Sequence, residues 1–469
     1  AGNGVAGEIG PRLLEAIGPG CARCGETNVR YQYDARGRLA RITRLDPAGL
    51  PVVATTLARD HAGRVLRRSL QPFVGGKALP ERLLARYEYV EDSPRPVLIA
   101  RPSVVPEREH RLQLAYNDAG QVTRMVESGF SPLDADGEPI DQPRRATPIE
   151  RTSTFTYTRI NGRSVLTATD GPLPNGPEGS PADSDISTFD RDAAGNHFTA
   201  LTLPGGRRST LEHDPATGML KGVRNDEGFG TRYTYNLRLQ PTTISFDGPG
   251  QAPAQTQHFE YDALGRAVEA RNASSPASNW LQEWDEHGRL RWHASALGVL
   301  DTFRHDTEGR PLERSRRSAS FEQTETLRYD AQGQRASVRD KAGRGRDWHY
   351  DARGRLQYAV DTDGLVHPAR AEAAPRAEDA TPPAAVRQLR DDFGRMVWRR
   401  SPDSGTVLHE YNAIDRLVAM RDARGNHARY DYDPAGRIQR QRITDAGSGA
   451  VEETQWRYQG RRLVELIHP

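Results

Sequence analysis

Lysine is almost missing from this chain of 469 residues: it stands only at Lys77, Lys221 and Lys341, and arginine supplies the rest of the positive charge. Lysine plus arginine total 65 against 63 acidic residues, a formal net charge of +2. That balance argues against an electrostatic grip on nucleic acid or on an anionic membrane surface. No run of about 18 apolar residues occurs, so no transmembrane helix is expected. Cysteine appears twice, as Cys21-Ala-Arg-Cys24. A single Cys-x-x-Cys is half a zinc site, a redox pair, or a local disulfide in an oxidising compartment. With no second cysteine pair, a local structural role is the expectation for Cys21 and Cys24, which stay weak metal candidates.

Apolar residues are also scarce. Only 36% of the chain is hydrophobic, 27% is charged, and the mean hydropathy is −0.75, which is polar for a folded chain of this length. Disorder is the weaker explanation, because Tyr, Phe and Trp are spread over the whole length. The alternative is an architecture with a large surface and little packed core.

Catalytic signatures are absent too. The chain has no His-Glu-x-x-His, no Gly-x-Ser-x-Gly and no Gly-x-x-x-x-Gly-Lys phosphate loop. Its 13 histidines are scattered, and His213, His305 and His349 lie where strand residues belong. Carboxylates suffice for a glycosidase pair, but repeated turn capping explains the recurrent aspartates better. No catalysis, metal or cofactor is expected of this chain.

What is present is repetition. The pattern aromatic-Asp-x-x-Gly-Arg-aliphatic occurs at Tyr33-Asp34 to Gly37-Arg38-Leu39, Tyr261-Asp262 to Gly265-Arg266, Tyr350-Asp351 to Gly354-Arg355-Leu356 and Tyr432-Asp433 to Gly436-Arg437-Ile438. Trp284-Asp285 to Gly288 and His305-Asp306 to Gly309 are further copies, and looser ones include Asp60 to Gly63, Asn117 to Gly120, Asp214 to Gly218 and Asp392 to Gly394. From Gly265 the turn glycines fall at 288, 309, 333 and 354, in steps of 21 to 24 residues. At position 415 aspartate takes the place of glycine, a residue that tolerates the left-handed conformation less readily.

The unit reads as a β-hairpin. Tyr430 and Tyr432 alternate with polar neighbours, placing both rings on one strand face, from which they are expected to cover the next hairpin. Asp433-Pro-Ala-Gly436 suits a type I turn followed by a left-handed residue, and Asp422-Ala-Arg-Gly425-Asn426 is its companion at the other end. One hairpin is marginal in water, so stability should come from stacking many. The spacing therefore predicts an all-β array of hairpins forming a long curled sheet. Segments 128–148, 170–185, 247–254 and 367–384 lack periodicity and read as surface loops. We divide the chain into an opening segment, 1–30, repeats with a Pro-rich insertion, 31–150, degenerate repeats, 151–260, and a regular array, 261–469.

The Tyr-Asp-x-x-Gly-Arg-Leu unit with its Asp-x-x-Gly-Asn companion resembles the YD repeat of the Rhs family, which is similar to bacterial polymorphic toxins, to the B and C components of Tc toxins and to the animal teneurins. Gly18-Pro-Gly-Cys-Ala-Arg-Cys-Gly25 before Tyr31-Gln-Tyr-Asp34 resembles the start of the repeat region in bacterial members. The resemblance spans about residues 25–469 and implies a hollow shell enclosing a toxin, exported from a bacterial cell with the help of secretion machinery or a chaperone, in competition between bacteria through a type VI or similar route. The chain begins with Ala and stops mid-repeat at Leu466-Ile-His-Pro469, so a piece of a longer protein is expected. Bacterial relatives cut themselves at an Asp-Pro-x-Gly-Leu motif; Asp46-Pro47-Ala48-Gly49-Leu50 has that form but lies near the start of the array and has Arg41 where the family motif has proline, so a turn is the better reading. The competing reading of the whole is an extracellular module that binds carbohydrate or a protein partner. The arginine after each turn glycine either forms a ladder facing an acidic neighbour or a cargo, or stacks on aromatics in solvent.

Overall fold

The computed structural model describes residues 12–17, 28–46, 48–174, 185–250, 253–306, 309–330, 333–350, 356–362, 366–368, 387–401 and 404–468. The fold is all-β. Short strands follow one another in a 29-stranded and an 8-stranded sheet, and every strand pairing among the described residues is antiparallel. No helix among these residues is long and apolar enough to cross a membrane.

Sequence spacing explains the strands directly. In His427–Tyr432 exposure alternates along the strand, as period-2 patterning demands. Tyr432 pairs with Ile438 across the turn, with a one-residue register shift between Asp431 and Tyr432. The same shift precedes the turns at Tyr33, Tyr261, Tyr329 and Tyr411. One extra residue in the left-handed region closes each loop and adds local twist. The segment 151–260 runs through the same antiparallel ladder, beginning with the long strand Thr147–Ile160.

The chain divides into two compact units. One comprises Ala1–Pro102, Glu283–His293 and Val299–Ala369; the other Ser103–Gln282, Ala294–Gly298 and Arg370–Pro469. In the first, the strands from Val29–Tyr33 to Pro96–Pro102 pair in order, except that Val65–Val74 pairs with both Lys77–Ala78 and Arg82–Tyr89, and those from Leu300–His305 to Val366–Pro368 also pair in order. The second contains the strands from Glu109–Tyr116 to Trp280 and the whole 8-stranded sheet, Arg387–Arg390 to Arg462–Ile467.

The core is thin. Its buried apolar residues are mostly alanine and valine, among them Ala54, Ala85, Ala100, Ala200, Ala270, Ala419 and Ala428. Small side chains on strands let neighbours approach closely but release little apolar surface from water. The hydrophobic cluster of the second unit is Leu133, Val397 and Trp398, flanked by Leu389 and Leu408. Segment 128–148 is thus no plain surface loop. The strand Val122–Ser131 runs into it, and Leu133 buries its side chain against the 8-stranded sheet.

Candidate functional site

The recurrent feature is the turn. In Asp433-Pro-Ala-Gly436 the Gly436 amide donates to the Asp433 carbonyl at 2.8 Å, and the Asp433 amide donates to the Arg437 carbonyl at 2.9 Å. Gly436 has φ +86, a conformation that favours glycine. Both carboxylate oxygens of Asp433 accept from Arg437: Oδ1 accepts the amide at 2.8 Å, and Oδ2 accepts Nε at 2.6 Å. Asp34 with Arg38 and Asp262 with Arg266 repeat both bonds. Carboxylate oxygens held this way are turn caps.

The amide of Arg38 leads the groups that hold Asp34 below the usual carboxylate range. Asp262 is also lowered: burial alone would raise it, and the Arg266 amide and guanidinium outweigh that. Asp391 differs, because its side chain is wholly buried and desolvation raises it despite Arg395 at 2.6 Å. The Asp46 turn has the same construction, with Oδ1 accepting the amides of Ala48 and Leu50 at 2.9 and 2.8 Å.

Tyrosine and arginine then lock several turns to their neighbours. The Tyr432 hydroxyl donates to the Leu417 carbonyl at 2.6 Å, two residues past the preceding turn's left-handed position. Tyr261 to Pro241, Tyr329 to Pro311, Tyr411 to Met396 and Tyr89 to Val65 follow the same rule at 2.6 to 2.9 Å. The hydroxyl of Tyr432 therefore reaches the preceding hairpin, not the following one. Burial raises the pKa of these tyrosines, so the hydroxyls remain donors.

Arginine runs the other way. Arg416 lies over the Tyr432 ring at 5.6 Å, and Arg437 over Tyr458 at 4.1 Å. Arg289 and Arg395 each donate Nη1 to the carbonyl of the next turn's first residue, Asp306 at 3.0 Å and Asn412 at 3.1 Å. The arginines thus form a ladder and stack on aromatics at once. The guanidinium of Arg416 also lies against Gly436.

Asp34, Gly37, Asp262, Gly265, Asp433 and Gly436 all occupy such turns, and Tyr33 donates its hydroxyl to the Leu13 carbonyl at 2.8 Å. The backbone of Tyr350 pairs with Leu356, while Asp351, Gly354, Cys21 and Cys24 lie outside the described residues. Asp415 takes φ +64 in place of a glycine, and Leu239 does the same at φ +60 in a turn with no glycine to mark it. In the copy at 391–395 the capping residue is Asp391, not Asp392.

That shift frees Asp392 for a contact the repeat pattern did not reveal. Its Oδ2 accepts the Ser103 hydroxyl at 2.6 Å and the Phe130 amide at 2.7 Å, and Oδ1 accepts the Val104 amide at 2.7 Å. Gly129 makes room, since a Cβ there would meet the Asp392 Cβ at 2.5 Å. Beside this clamp Glu127 takes His110 at 2.8 Å and Arg151 at 2.7 Å, and Arg151 reaches Asp415 at 2.9 Å. The His110 bond leads the causes that hold Glu127 below the usual carboxylate range. Further along, the Arg461 amide donates to Glu227 at 2.7 Å. Three turns of the 8-stranded sheet, at Asp392, Asp415 and Arg461, thus fasten to earlier parts of the same unit. The doubled aspartate at 391–392 was the one sequence signal of the clamp.

Residues 411–450 match the family model of the RHS repeat. That stretch carries a repeat of the RHS type. No curated protein matches it in sequence. Among solved structures it is similar to TcdB2-TccC3-TEV, with a TM-score of 0.56 and 11% identity over 94% of this chain and 31% of that one. The Photorhabdus luminescens Tc holotoxin pore with a TccC3 mutation gives a TM-score of 0.54 at 12% identity, over 94% of this chain and 24% of that one. TcdB2-TccC3-Cdc42 gives 0.53 at 12% identity, again over 94% and 24%. This YD-repeat chain shares their fold and spans less than a third of their length.

Proposed function

We propose that this YD-repeat array is a non-catalytic wall segment of an Rhs-type shell that encloses a toxin polypeptide and helps deliver it from a bacterial cell. The observation that carries the reading is the interlock. Hairpins such as those ending at Tyr432 and Tyr411 are fastened to the preceding one by a tyrosine hydroxyl and an arginine, so the array extends by repetition and holds together without a thick apolar core. Carboxylates committed to turns suit a wall and not a catalyst. The likeness to solved Tc toxin structures supports enclosure, with the toxin carried on another part of a longer protein. Secretion machinery or a chaperone would be its partners in export.

Protease protection tests this. In the natural full-length protein, a tagged toxin segment should resist trypsin under native conditions and become cleavable once denaturant opens the array. Cleavage of that segment in the native protein as fast as in the isolated segment would reject enclosure.

A further inference from the structure

Two kinds of contact hold the 8-stranded sheet in its unit. Inside it, seven successive antiparallel pairings run from Arg387–Arg390 to Arg462–Ile467. Tyr411, Tyr432 and Tyr458 each add a hydroxyl bond to the hairpin before. Toward the earlier strands of the unit, no strand pairing joins it among the described residues. That border is a seam of separate ties. Asp392 accepts from Ser103, Val104 and Phe130, and its own amide donates to the Phe130 carbonyl at 3.0 Å. Arg151 crosses to Asp415, Arg421 donates to the Asp136 carbonyl at 3.3 Å, and the Arg461 amide donates to Glu227.

The seam is weaker than the ladder beside it. Arg151–Asp415 is a partly exposed ion pair, of a kind that contributes little. The groups of the other ties return to water when the two sides part, so their net contribution is modest. Leu133 against Val397 and Trp398 is the buried apolar contact that opposes parting, and it is small. Parting would also leave the turns whole, since Asp391 and Asn412 cap theirs through Arg395 and Arg416 on the same side of the seam. Asp392 lies in the turn after the sheet's first strand and Arg461 in the turn before its last. An interlocked sheet cannot lift at one of these ends without loading the tie at the other.

We propose that the 8-stranded sheet is a flap, which parts from the strands and turns carrying Ser103, Phe130, Arg151 and Glu227 in one cooperative step with its own ladder intact. Under the shell reading this is where the wall would open, but the flap rests on the contacts of this unit alone and holds whether or not a toxin is enclosed.

Hydrogen exchange of the full chain, read by mass spectrometry, tests for coupling between the two ends of the seam. Asp392→Ala should speed exchange at the Arg461 amide at least tenfold, although the two residues share no partner. Glu227→Ala, at a partly exposed turn, should in return speed Val104 and Phe130 at least tenfold. The peptide covering 427–432, inside the ladder, should stay within twofold in both variants. If each substitution speeds only the amides it touches, the ties fray one by one and there is no flap. If 427–432 speeds up as much as the seam, the sheet unfolds instead of swinging clear, and the proposal is equally overturned.

Discussion

Replacing Asp392 with alanine should loosen the 8-stranded sheet from the strands that carry Ser103 and Phe130. The substitution removes three bonds of 2.6 to 2.7 Å and leaves the amides of Val104 and Phe130 without partners. An unpaired buried donor costs roughly 1–3 kcal/mol, and the Ser103 hydroxyl can turn to water, so about 3 kcal/mol is the expected local loss. That equals roughly two decades in an opening equilibrium. Hydrogen exchange read by mass spectrometry reports on these amides directly. Peptides covering 103–105 and 128–131 should exchange about a hundredfold faster in Asp392→Ala, while the turn at 422–426 should not change. Asp392→Asn keeps one carbonyl oxygen and should fall between. If exchange at Val104 and Phe130 stays within about twofold of the unsubstituted chain, the clamp does not fasten the sheet and the reasoning fails.

Tyr432→Phe should cost about 1 kcal/mol in chemical denaturation by losing the bond to Leu417, and Tyr430→Phe, whose hydroxyl only accepts from Gln441 at 3.4 Å, clearly less. Leu239→Gly should stabilise by about 1 kcal/mol, since Leu239 is exposed and held at φ +60, and Gly436→Ala should destabilise because of its φ of +86. Acid should unfold the array as the turn aspartates protonate. Asp34, Asp60, Asp262, Asp285 and Asp340 all have lowered values, so the stability they contribute is present above the unfolded carboxylate range and is lost as pH falls through the folded one. Asp391 is raised, so its protonation opposes that trend, and Asp391→Asn should steepen the acid limb of a stability-against-pH curve.

The turn chemistry was legible because it is local: Asp, Gly and Arg lie within five residues and act on one another. The hairpin period followed from the glycines, and the all-β class from strands such as Thr147–Ile160. Direction was not legible. Nothing in Tyr430-Asp-Tyr432 says which neighbour a hydroxyl will reach, because the carbonyl at Leu417 is placed only once the earlier turn has formed. Leu239 hid a turn by standing where glycine was sought. Asp392 was misassigned because either aspartate of the pair could cap the turn, and its partners are 262 to 289 residues away. Segment 128–148 misled for the same reason: its proline-rich composition marks an irregular path, whereas the burial of Leu133 depends on Val397 and Trp398.

The central claim is that these interlocked hairpins form the wall around an enclosed polypeptide. Electron cryo-microscopy of the natural full-length protein tests it most directly. The account predicts that the repeats described here line a closed cavity containing density for a polypeptide continuous with the chain. An array whose cavity is open or empty in the intact protein, with the toxin segment folded outside it, would contradict the claim.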